Sequence, residues 1–305
     1  MENLNLFTIK DGVLKICNDK TVKSVVIPDG VTEIGNSVFQ YCESLESVVI
    51  PESVTKMGKY VFYKCKSLKE IKLPDSMTYI GSYAFEGCES LKEIKIPDGV
   101  TKIGFEAFYN CESLKSINIP DTVTEIDDNA FYKCKSLESI KIPESVTKIG
   151  GCAFAHCDSL KSVLIPASVT ETGDYIFASC DSLKSVVIQE GVTKIGNKAF
   201  SYCESLKEIT IPDGVTEICH GMFEGCKSLE SVKIPNGVRK IGAGAFLHCT
   251  SLKEIKLPES LTEIGYCAFY GCNSLKPLVI SDTVTRTGLQ SFLGCKFTTM
   301  EDNTK

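Results

Sequence analysis

A strict 23-residue period runs through almost the whole chain. Cysteine recurs at this interval, and phenylalanine stands three residues before each of these cysteines. The cysteines are Cys42, Cys65, Cys88, Cys111, Cys134, Cys157, Cys180, Cys203, Cys226, Cys249, Cys272 and Cys295. The phenylalanines run from Phe39 to Phe292 without a gap. One short unit cannot bury its own apolar face, so this period predicts units that stack into a solenoid with one continuous core.

Each unit opens with a short strand pattern. In residues 68–74 this pattern reads L-x-x-I-x-L-P. Side chains alternate across a strand, so Ile71 and Leu73 share the inward face and Lys72 points outward. Proline follows the pattern in ten of twelve units, and it ends the strand because it has no N–H for a ladder hydrogen bond. We therefore expect one gently curved parallel sheet along one side of the stack.

The rest of the unit predicts a shorter return side. In residues 100–104 two apolar positions face inward, and we expect the final glycine to take a positive φ for the return. Ala107, Phe108 and Cys111 then stand at i, i+1 and i+4, which fits one turn of α-helix or 3₁₀ helix facing the core. The fold class predicted is an α/β-type repeat solenoid with a parallel sheet on one side and short extended, 3₁₀ or helical turns on the other.

Three segments follow from where the period begins and ends. We expect an N-terminal cap at residues 1–20, a solenoid of about twelve repeats at residues 21–295, and a short C-terminal cap with a frayed tail at residues 296–305. The apolar residues that would cover the two ends of the core are Phe7, Ile9, Val13, Leu14 and Ile16 at the start, and Phe297 and Met300 at the end.

Residues 21–295 resemble the BspA-like leucine-rich repeat family, whose units combine I-P, I-G, A-F and a cysteine as these do. The resemblance implies a surface or secreted interaction protein of bacteria or protists, often one that adheres to host proteins or to other cells. It brings no catalytic residues. Three pairs of residues depart from the repeat: Gln189 and Ser281 replace the proline, Asp127 and Cys219 replace the glycine, and Thr172 and Thr287 take the inward isoleucine position.

Exported members of such a family carry a signal and often an anchor. The first twenty residues lack the continuous apolar stretch of a secretory signal. We therefore expect either a trimmed chain or a protein that stays inside the cell, which would be cytoplasmic if the chain is complete. The sequence does not decide between these two.

The cysteine column has two interpretations. It is either a ladder for redox chemistry or metal binding, or a row of small buried side chains beside phenylalanine. The second is favoured because a straight column offers one sulfur per layer, whereas metal clusters need local spacings such as C-x-x-C. We expect free thiols, with Cys152 and Cys267 exposed and reactive. The three histidines, His156, His220 and His248, are expected to be solvated turn residues. The chain is therefore predicted to be no enzyme and to need no metal or cofactor.

Charge and hydropathy limit the class of partner. The net charge is -6, with lysine and glutamate mixed along the chain, so no basic field favours nucleic acid or an anionic membrane surface. No stretch reaches the roughly 18 apolar residues of a membrane span. The expected partner is a protein ligand, for instance an extracellular-matrix or cell-surface protein, and the oligomeric state is left open.

Outward strand residues are where repeats are free to vary, so a binding surface is expected there. The predicted binding residues occupy the position between the two inward strand residues: Lys72, Lys95, Asn118, Lys141, Leu164, Val187, Thr210, Lys233 and Lys256. Leu164 and Val187 form an apolar centre between two lysine groups, which is typical of an anchor for a protein partner. Two alternatives stay open: an ordinary solvated sheet face, and a structural or idealised repeat scaffold without a natural ligand.

Overall fold

The computed structural model of the protein describes residues 6–295, which form a stack of twelve coils. We number these coil 1 (residues 20–42) to coil 12 (residues 273–295), each 23 residues long and ending at its column cysteine. Three sides can be distinguished: the strand face, which carries the predicted binding residues, the second side, and the turn face, which precedes each cysteine. Residues 1–5 of the predicted N-terminal cap and the whole predicted C-terminal cap at 296–305 lie outside the described residues.

The strand face carries short parallel strands one coil apart in register. Val25 lies opposite Val48, and Ile209 lies opposite Val232, each pair 23 residues apart. Numbered in chain order, the strands of this face are β3 (Ser24–Val26), β5 (Ser47–Val49), β7 (Glu70–Ile71), β9 (Glu93–Lys95), β11 (Ser116–Asn118), β14 (Ser162–Ile165), β15 (Ser185–Ile188), β16 (Glu208–Thr210), β18 (Ser231–Lys233) and β20 (Glu254–Ile255).

Two-residue strands form the second side, again with parallel pairing between coils. Ile103 pairs with Ile126, which in turn pairs with Ile149. These strands are β4 (Glu33–Ile34), β6 (Lys56–Met57), β8 (Tyr79–Ile80), β10 (Lys102–Ile103), β12 (Glu125–Ile126), β13 (Lys148–Ile149), β17 (Glu217–Ile218), β19 (Lys240–Ile241), β21 (Glu263–Ile264) and β22 (Arg286–Thr287).

The turn face is not helical, so the predicted helical or 3₁₀ turn and the α/β class are wrong. Successive turns replace it, and no helix occurs in residues 6–295. The residue before Ala84 is Tyr83, at φ 61, and Gly87 before Cys88 has φ 71. Two left-handed residues four positions apart in each coil prevent helical repetition. Alternate N–H groups donate instead to the next coil, as from Phe85 to the Ala107 carbonyl at 2.9 Å.

The core is a set of columns that run the length of the stack. The phenylalanine rings from Phe39 to Phe269 are fully buried, and neighbouring rings stack nearly parallel with centroids 5.1–6.0 Å apart. The column cysteines from Cys42 to Cys272 and the strand leucines are buried beside them. Ring stacking at these separations adds to the stabilisation from burial itself. The predicted solenoid with one continuous core is confirmed.

The repeated glycine serves close packing rather than a special φ. Gly81 and Gly104 are absent from the residues with positive φ, so the expected reason for this glycine is wrong. A Cβ on Gly81 would lie 2.4 Å from the Gly58 carbonyl oxygen of the preceding coil. The main chains of successive coils therefore approach too closely here for a side chain at most units.

A hairpin covers the first coil. β1 (Phe7–Lys10) pairs antiparallel with β2 (Val13–Cys17), and β2 pairs in parallel with β4, the first strand of the second side. Leu14 is fully buried and Phe7 contacts Phe39 edge-on at 6.2 Å. Ile9 and Ile16 are exposed, so these two predicted cap residues do not cover the core, because they alternate with inward neighbours on the hairpin.

Departures from the repeat are compensated locally. Thr172 is buried in an isoleucine position, where its hydroxyl oxygen accepts a hydrogen bond from the Gly196 N–H at 3.1 Å. Gln189, which replaces the proline, accepts a hydrogen bond from the Ala167 N–H at 2.7 Å. Thr287 lies at the exposed end of the stack. The solenoid therefore continues through these coils.

Candidate functional site

The predicted binding residues form one exposed column on the strand face. Each stands between two inward residues, and the parallel register brings neighbours together: Asn118 lies opposite Lys95, and Leu164 lies opposite Val187. The exposed members are Lys72, Lys95, Asn118, Lys141, Leu164, Val187, Thr210, Lys233 and Lys256. Val26, Val49 and Val279 share the same column and are also exposed.

Acidic residues of the preceding coil neutralise several lysines of this column. Lys72 lies 3.3 Å from Glu52, and Lys95 lies 3.5 Å from Asp75. Lys141 and Asp121 are 3.9 Å apart and both are largely exposed. Ion pairs this exposed contribute little to stability and exchange readily for other partners. The lysine groups thus present a mixed surface rather than a basic one.

The centre of the column differs from its ends. Leu164 is 40% exposed and Val187 is 50% exposed, although both belong to regular strands. Ala167 stands where most other coils place an acidic residue after the proline. Lys184 and Lys207 flank this centre on one side and form no ion pair within residues 6–295. An apolar patch bordered by unpaired ammonium groups results.

The sheet is interrupted next to this patch. Coil 6 has no strand on its strand face, and no backbone hydrogen bond within the described chain joins residues 139–142 to either neighbouring coil. A depression of about 630 Å³ opens there, lined by Asp121, Ile140, Lys141, Ile142, Glu144, Ser145, Ser162, Val163, Leu164, Ser185 and Val187. Apolar side chains and free main-chain groups therefore meet at the edge of the patch.

Three further depressions lie along the strand face. Their volumes are about 760 Å³ over coils 2–5, 540 Å³ over coils 8–10 and 870 Å³ over coils 10–12. Together with the one at coil 6 they follow the whole column, as grooves between outward side chains of neighbouring strands. Shallow grooves of this kind suit an extended chain or a protein surface better than an enclosed small molecule.

The second side is chemically uniform by comparison. Its outward column mostly alternates in sign, and Glu125 lies 3.0 Å from Lys102 of the preceding coil and 2.6 Å from Lys148 of the next. A threonine stands beside this column in eleven of twelve coils. These repeated side chains form ion pairs between successive coils, and no position on this side differs enough from the others to mark a binding site.

The cysteine column is structural in its contacts. Each thiol from Cys65 to Cys295 donates a hydrogen bond to the phenylalanine carbonyl of the preceding coil, 26 residues earlier, at 3.0–3.4 Å. Burial raises the pKa of these thiols, to about 12 at Cys203. A thiol that stays protonated is a poor nucleophile and a poor metal ligand.

Two irregular cysteines and one of the three histidines are less exposed than expected. Cys152 and Cys267 are partly buried, and burial raises the pKa of the Cys152 thiol, which argues against the predicted reactivity of Cys152. His156 packs edge-on against Tyr132 at 5.2 Å, while His220 and His248 are exposed on the turn face. Within residues 6–295 no group of three or more His, Cys, Asp or Glu side chains is arranged to hold a metal ion.

A membrane-crossing helix is not found in the part of the chain that the structure describes.

The chain is similar to a known repeat family and to several solved structures. A model described as "BspA type Leucine rich repeat region (6 copies)" matches residues 8–138, 124–246 and 216–301. The fold is similar to that of a leucine-rich repeat protein from Bacteroides ovatus, with 33% identity, a TM-score of 0.81, and coverage of 93% of this chain and 80% of that one.

Two more solved structures share the architecture. One is a leucine rich cell surface protein from Faecalibacterium prausnitzii, with 28% identity, a TM-score of 0.52, and coverage of 89% of this chain and 92% of that one. The other, pneumococcal vaccine antigen PcpA, is 22% identical with a TM-score of 0.54, and the match covers 87% of this chain and 74% of that one. No curated protein matches the chain.

Proposed function

The chain belongs to the BspA-type leucine-rich repeat family, and from that premise we propose that it is an adhesin-like or receptor-like module that binds another protein on its strand face. Repeat proteins of this family and fold are generally non-catalytic interaction modules. The observation that carries the proposal is the apolar patch of Leu164 and Val187, set beside the interrupted sheet of coil 6 and bordered by unpaired lysines. Apolar anchors in a polar rim are typical of protein interfaces.

The mode of binding follows from the two kinds of group present. An aliphatic or aromatic side chain of the partner would occupy the depression between coils 6 and 7, against Ile140 and Leu164. The main-chain groups of residues 139–142, which form no hydrogen bond to neighbouring coils, would pair with the partner's backbone or polar side chains. Lys184 and Lys207 would favour an acidic residue close to that anchor.

A cell-surface setting is part of the proposal. It is supported by the likeness to the Faecalibacterium prausnitzii protein, which is described as a cell surface protein. Under this proposal the partner is an extracellular-matrix protein or a protein displayed on another cell.

The test is a binding experiment with the full chain immobilised. Biotinylated extracellular-matrix extract and surface-labelled proteins from cultured cells are passed over it, and a captured protein is purified and titrated. We expect saturable binding that the double substitution Leu164→Glu and Val187→Glu weakens at least tenfold, because two charges would be placed in the apolar patch.

The matched control changes the same column away from the patch. Val26→Glu together with Val279→Glu adds the same two charges at positions that are 68% and 91% exposed, so affinity should be unchanged. Unaltered binding by the Leu164/Val187 variant would reject this surface as the site. Absence of any saturable partner across both extracts would favour a scaffold without a natural ligand.

A further inference from the structure

Tyrosine is concentrated on the turn face. Ten of the eleven tyrosines lie there, and the exception is Tyr79 on the second side. Aromatic residues are enriched at binding surfaces because they bury a large area at a small cost in conformational entropy. The turn face therefore carries a second set of residues that the repeat itself does not require.

Coils 2–5 hold the densest part of this set. Tyr60 and Tyr83 stack with ring centroids 4.3 Å apart, and Phe105 contacts Tyr83 edge-on at 5.2 Å. Tyr109 and Tyr132 form a second stack at 4.9 Å in the neighbouring column. Two adjacent columns of the turn face thus each carry a pair of stacked tyrosines within coils 2–5.

Two carboxyl groups stand within these columns. Glu86 follows Tyr63 and precedes Tyr109 in one column, and Glu106 follows Tyr83 in the other. The side chain of Glu86 forms no ion pair and no hydrogen bond within the described residues, and Glu106 accepts one hydrogen bond, from the Asn129 amide at 3.3 Å. Lys64 lies over the rings of Tyr41 and Tyr63 and does not pair with Glu86.

No cation forms an ion pair with Glu86 within the described residues. Burial, and then the negative charge of Glu106, raise the pKa of Glu86 to about 7, and the charge of Lys64 opposes them only in part. Burial also raises the pKa of Glu106. The same two carboxylates contribute to the raised pKa values of Tyr83 and Tyr109, where burial is the first cause. A positive charge placed among these groups would lower the pKa values of both carboxyl groups and of both tyrosines.

The protein contains an occupied counterpart six coils further on. Glu224 is the repeat equivalent of Glu86, and Lys198 is the equivalent of Tyr60. The Lys198 ammonium lies 3.1 Å from Glu224 and 5.8 Å from the centroid of the Tyr175 ring, and the Tyr202 hydroxyl donates to Glu224 at 2.7 Å. Burial alone would raise the pKa of Glu224, but the hydrogen bonds from Tyr202 and Lys198 hold it below its ordinary value.

We propose that the turn face of coils 2–5 is a second binding surface, which receives a lysine side chain of a protein partner between Glu86 and Glu106 and the rings of Tyr63, Tyr83 and Tyr109. The counterpart at Glu224 shows that this backbone position accommodates an ammonium beside a carboxylate and a tyrosine ring. Coil 2 carries Tyr60 at the position of Lys198, and its own Lys64, at the position of Tyr202, lies over the rings of Tyr41 and Tyr63 without forming an ion pair with Glu86. A cation paired directly with Glu86 would therefore come from outside. Cation–π attraction and the two carboxylates act together on such a group.

The experiment titrates the full chain, with ring-¹³C-labelled tyrosine, using two short peptides and following the tyrosine signals by NMR. One peptide carries a single central lysine in a Gly/Ser background, and the other carries Nε-acetyl-lysine at the same place. We expect the lysine peptide to bind at least about fivefold more tightly and to shift the signals of Tyr63, Tyr83 and Tyr109.

Variants assign the binding to this surface. Glu86→Gln and Glu106→Gln should each weaken the lysine peptide about fivefold, whereas Glu70→Gln, the same charge change on the strand face of coil 3, should leave it unchanged. Tyr60→Lys should supply an internal ammonium, as Lys198 does at Glu224, and so abolish binding of the peptide. Thermal unfolding of each variant checks that it is folded.

Several outcomes would overturn the proposal. They are equal affinity for the two peptides, an unchanged affinity in Glu86→Gln, and full binding by a folded Tyr60→Lys variant. The two surfaces lie on different faces of the stack. The Leu164→Glu and Val187→Glu variant should therefore still bind the lysine peptide. Failure of one surface is thereby separated from failure of the other.

Discussion

Cys134 combines burial with a hydrogen bond in one small side chain. It is fully buried, and its thiol donates to the Phe108 carbonyl of the preceding coil at 3.2 Å. That carbonyl also accepts the N–H of Cys111 at 3.2 Å within its own coil. The thiol therefore links two layers of the core at a point where alanine would leave both a gap and a weaker contact.

Replacement of this side chain should lower stability. We expect Cys134→Ala to reduce the free energy of unfolding by about 1–3 kcal/mol, since a buried sulfur and its hydrogen bond are both lost. Urea unfolding followed by circular dichroism measures the change. Cys152→Ala is the matched control, because Cys152 is only partly buried and lies outside the column, and its effect should stay below about 0.5 kcal/mol. Equal losses in the two variants would contradict a packing role for the column.

Sequence reasoning reached the cysteine column but not the acidic surface of the turn face. The column was recognisable because every coil repeats it, and a period indicates what the core requires. Among the residues at the repeat position of Glu86, only one other is acidic, Glu224. The environment of each carboxyl group depends on the side chains beside it in three dimensions. Only the structure shows that Glu224 pairs with Lys198 and that Glu86 has no such ion pair.

Glycines of the second side set how closely neighbouring coils approach. At Gly173 a Cβ would lie 2.3 Å from the Gly151 nitrogen and 2.5 Å from the Gly150 carbonyl carbon. Backbone atoms of a packed coil cannot move aside as a flexible side chain would. At Gly104 the nearest atom to a Cβ is 3.3 Å away, so the constraint varies from coil to coil.

This difference gives a matched pair of substitutions. Gly173→Ala should cost about 1–3 kcal/mol of unfolding free energy, or more if the coils must separate, because the added methyl group overlaps main-chain atoms. Gly104→Ala should change stability by less than about 1 kcal/mol. Thermal and urea unfolding of the two variants test this. A smaller loss at Gly173 than at Gly104 would mean that the glycine has a different role.

The turn before each column cysteine was predicted to be helical because its spacing fits two backbone conformations. The spacing of Ala107, Phe108 and Cys111 places three side chains inward, and both a helical turn and a run of tight turns satisfy it. Backbone hydrogen bonding decides between them. Phe108 donates to Ala130 of the next coil at 2.9 Å rather than within its own coil, and this bond between coils leaves no mark in the sequence of one unit.

Over the whole molecule, the strand face is divided while the second side is more continuous. The ladders of the strand face comprise groups of three, two, two and three strands, and coil 6 lies between the middle groups without a strand of its own. On the second side Ile149 of the same coil pairs with Ile126 and forms a bridge to Thr172. Coil 6 is thus held firmly on one side and more loosely on the other.

Hydrogen exchange should reveal this asymmetry. We expect amides of residues 139–142 to exchange faster than those of residues 116–118 and 162–165, because they form no backbone hydrogen bond to a neighbouring coil. Mass spectrometry of peptic fragments measures the rates, and residues 148–149 on the second side provide an internal reference. Equal protection of all three strand-face segments would show that the ladder is intact in solution.

The interruption could not have been predicted from the letters of the sequence. Residues 140–143 read Ile-Lys-Ile-Pro, and residues 94–97, which include part of strand β9, read the same. The repeat number, the columns and the outward strand positions follow from periodicity, whereas the place where the sheet opens does not.

Each column thiol donates to the phenylalanine carbonyl of the preceding coil. Because every coil provides this carbonyl at the same place, a coil could pack equally well on any other coil. Unequal recombination that deletes or duplicates 23 residues would leave the remaining thiols with phenylalanine carbonyls in the same places. We therefore expect a chain shortened or lengthened by one whole unit to fold.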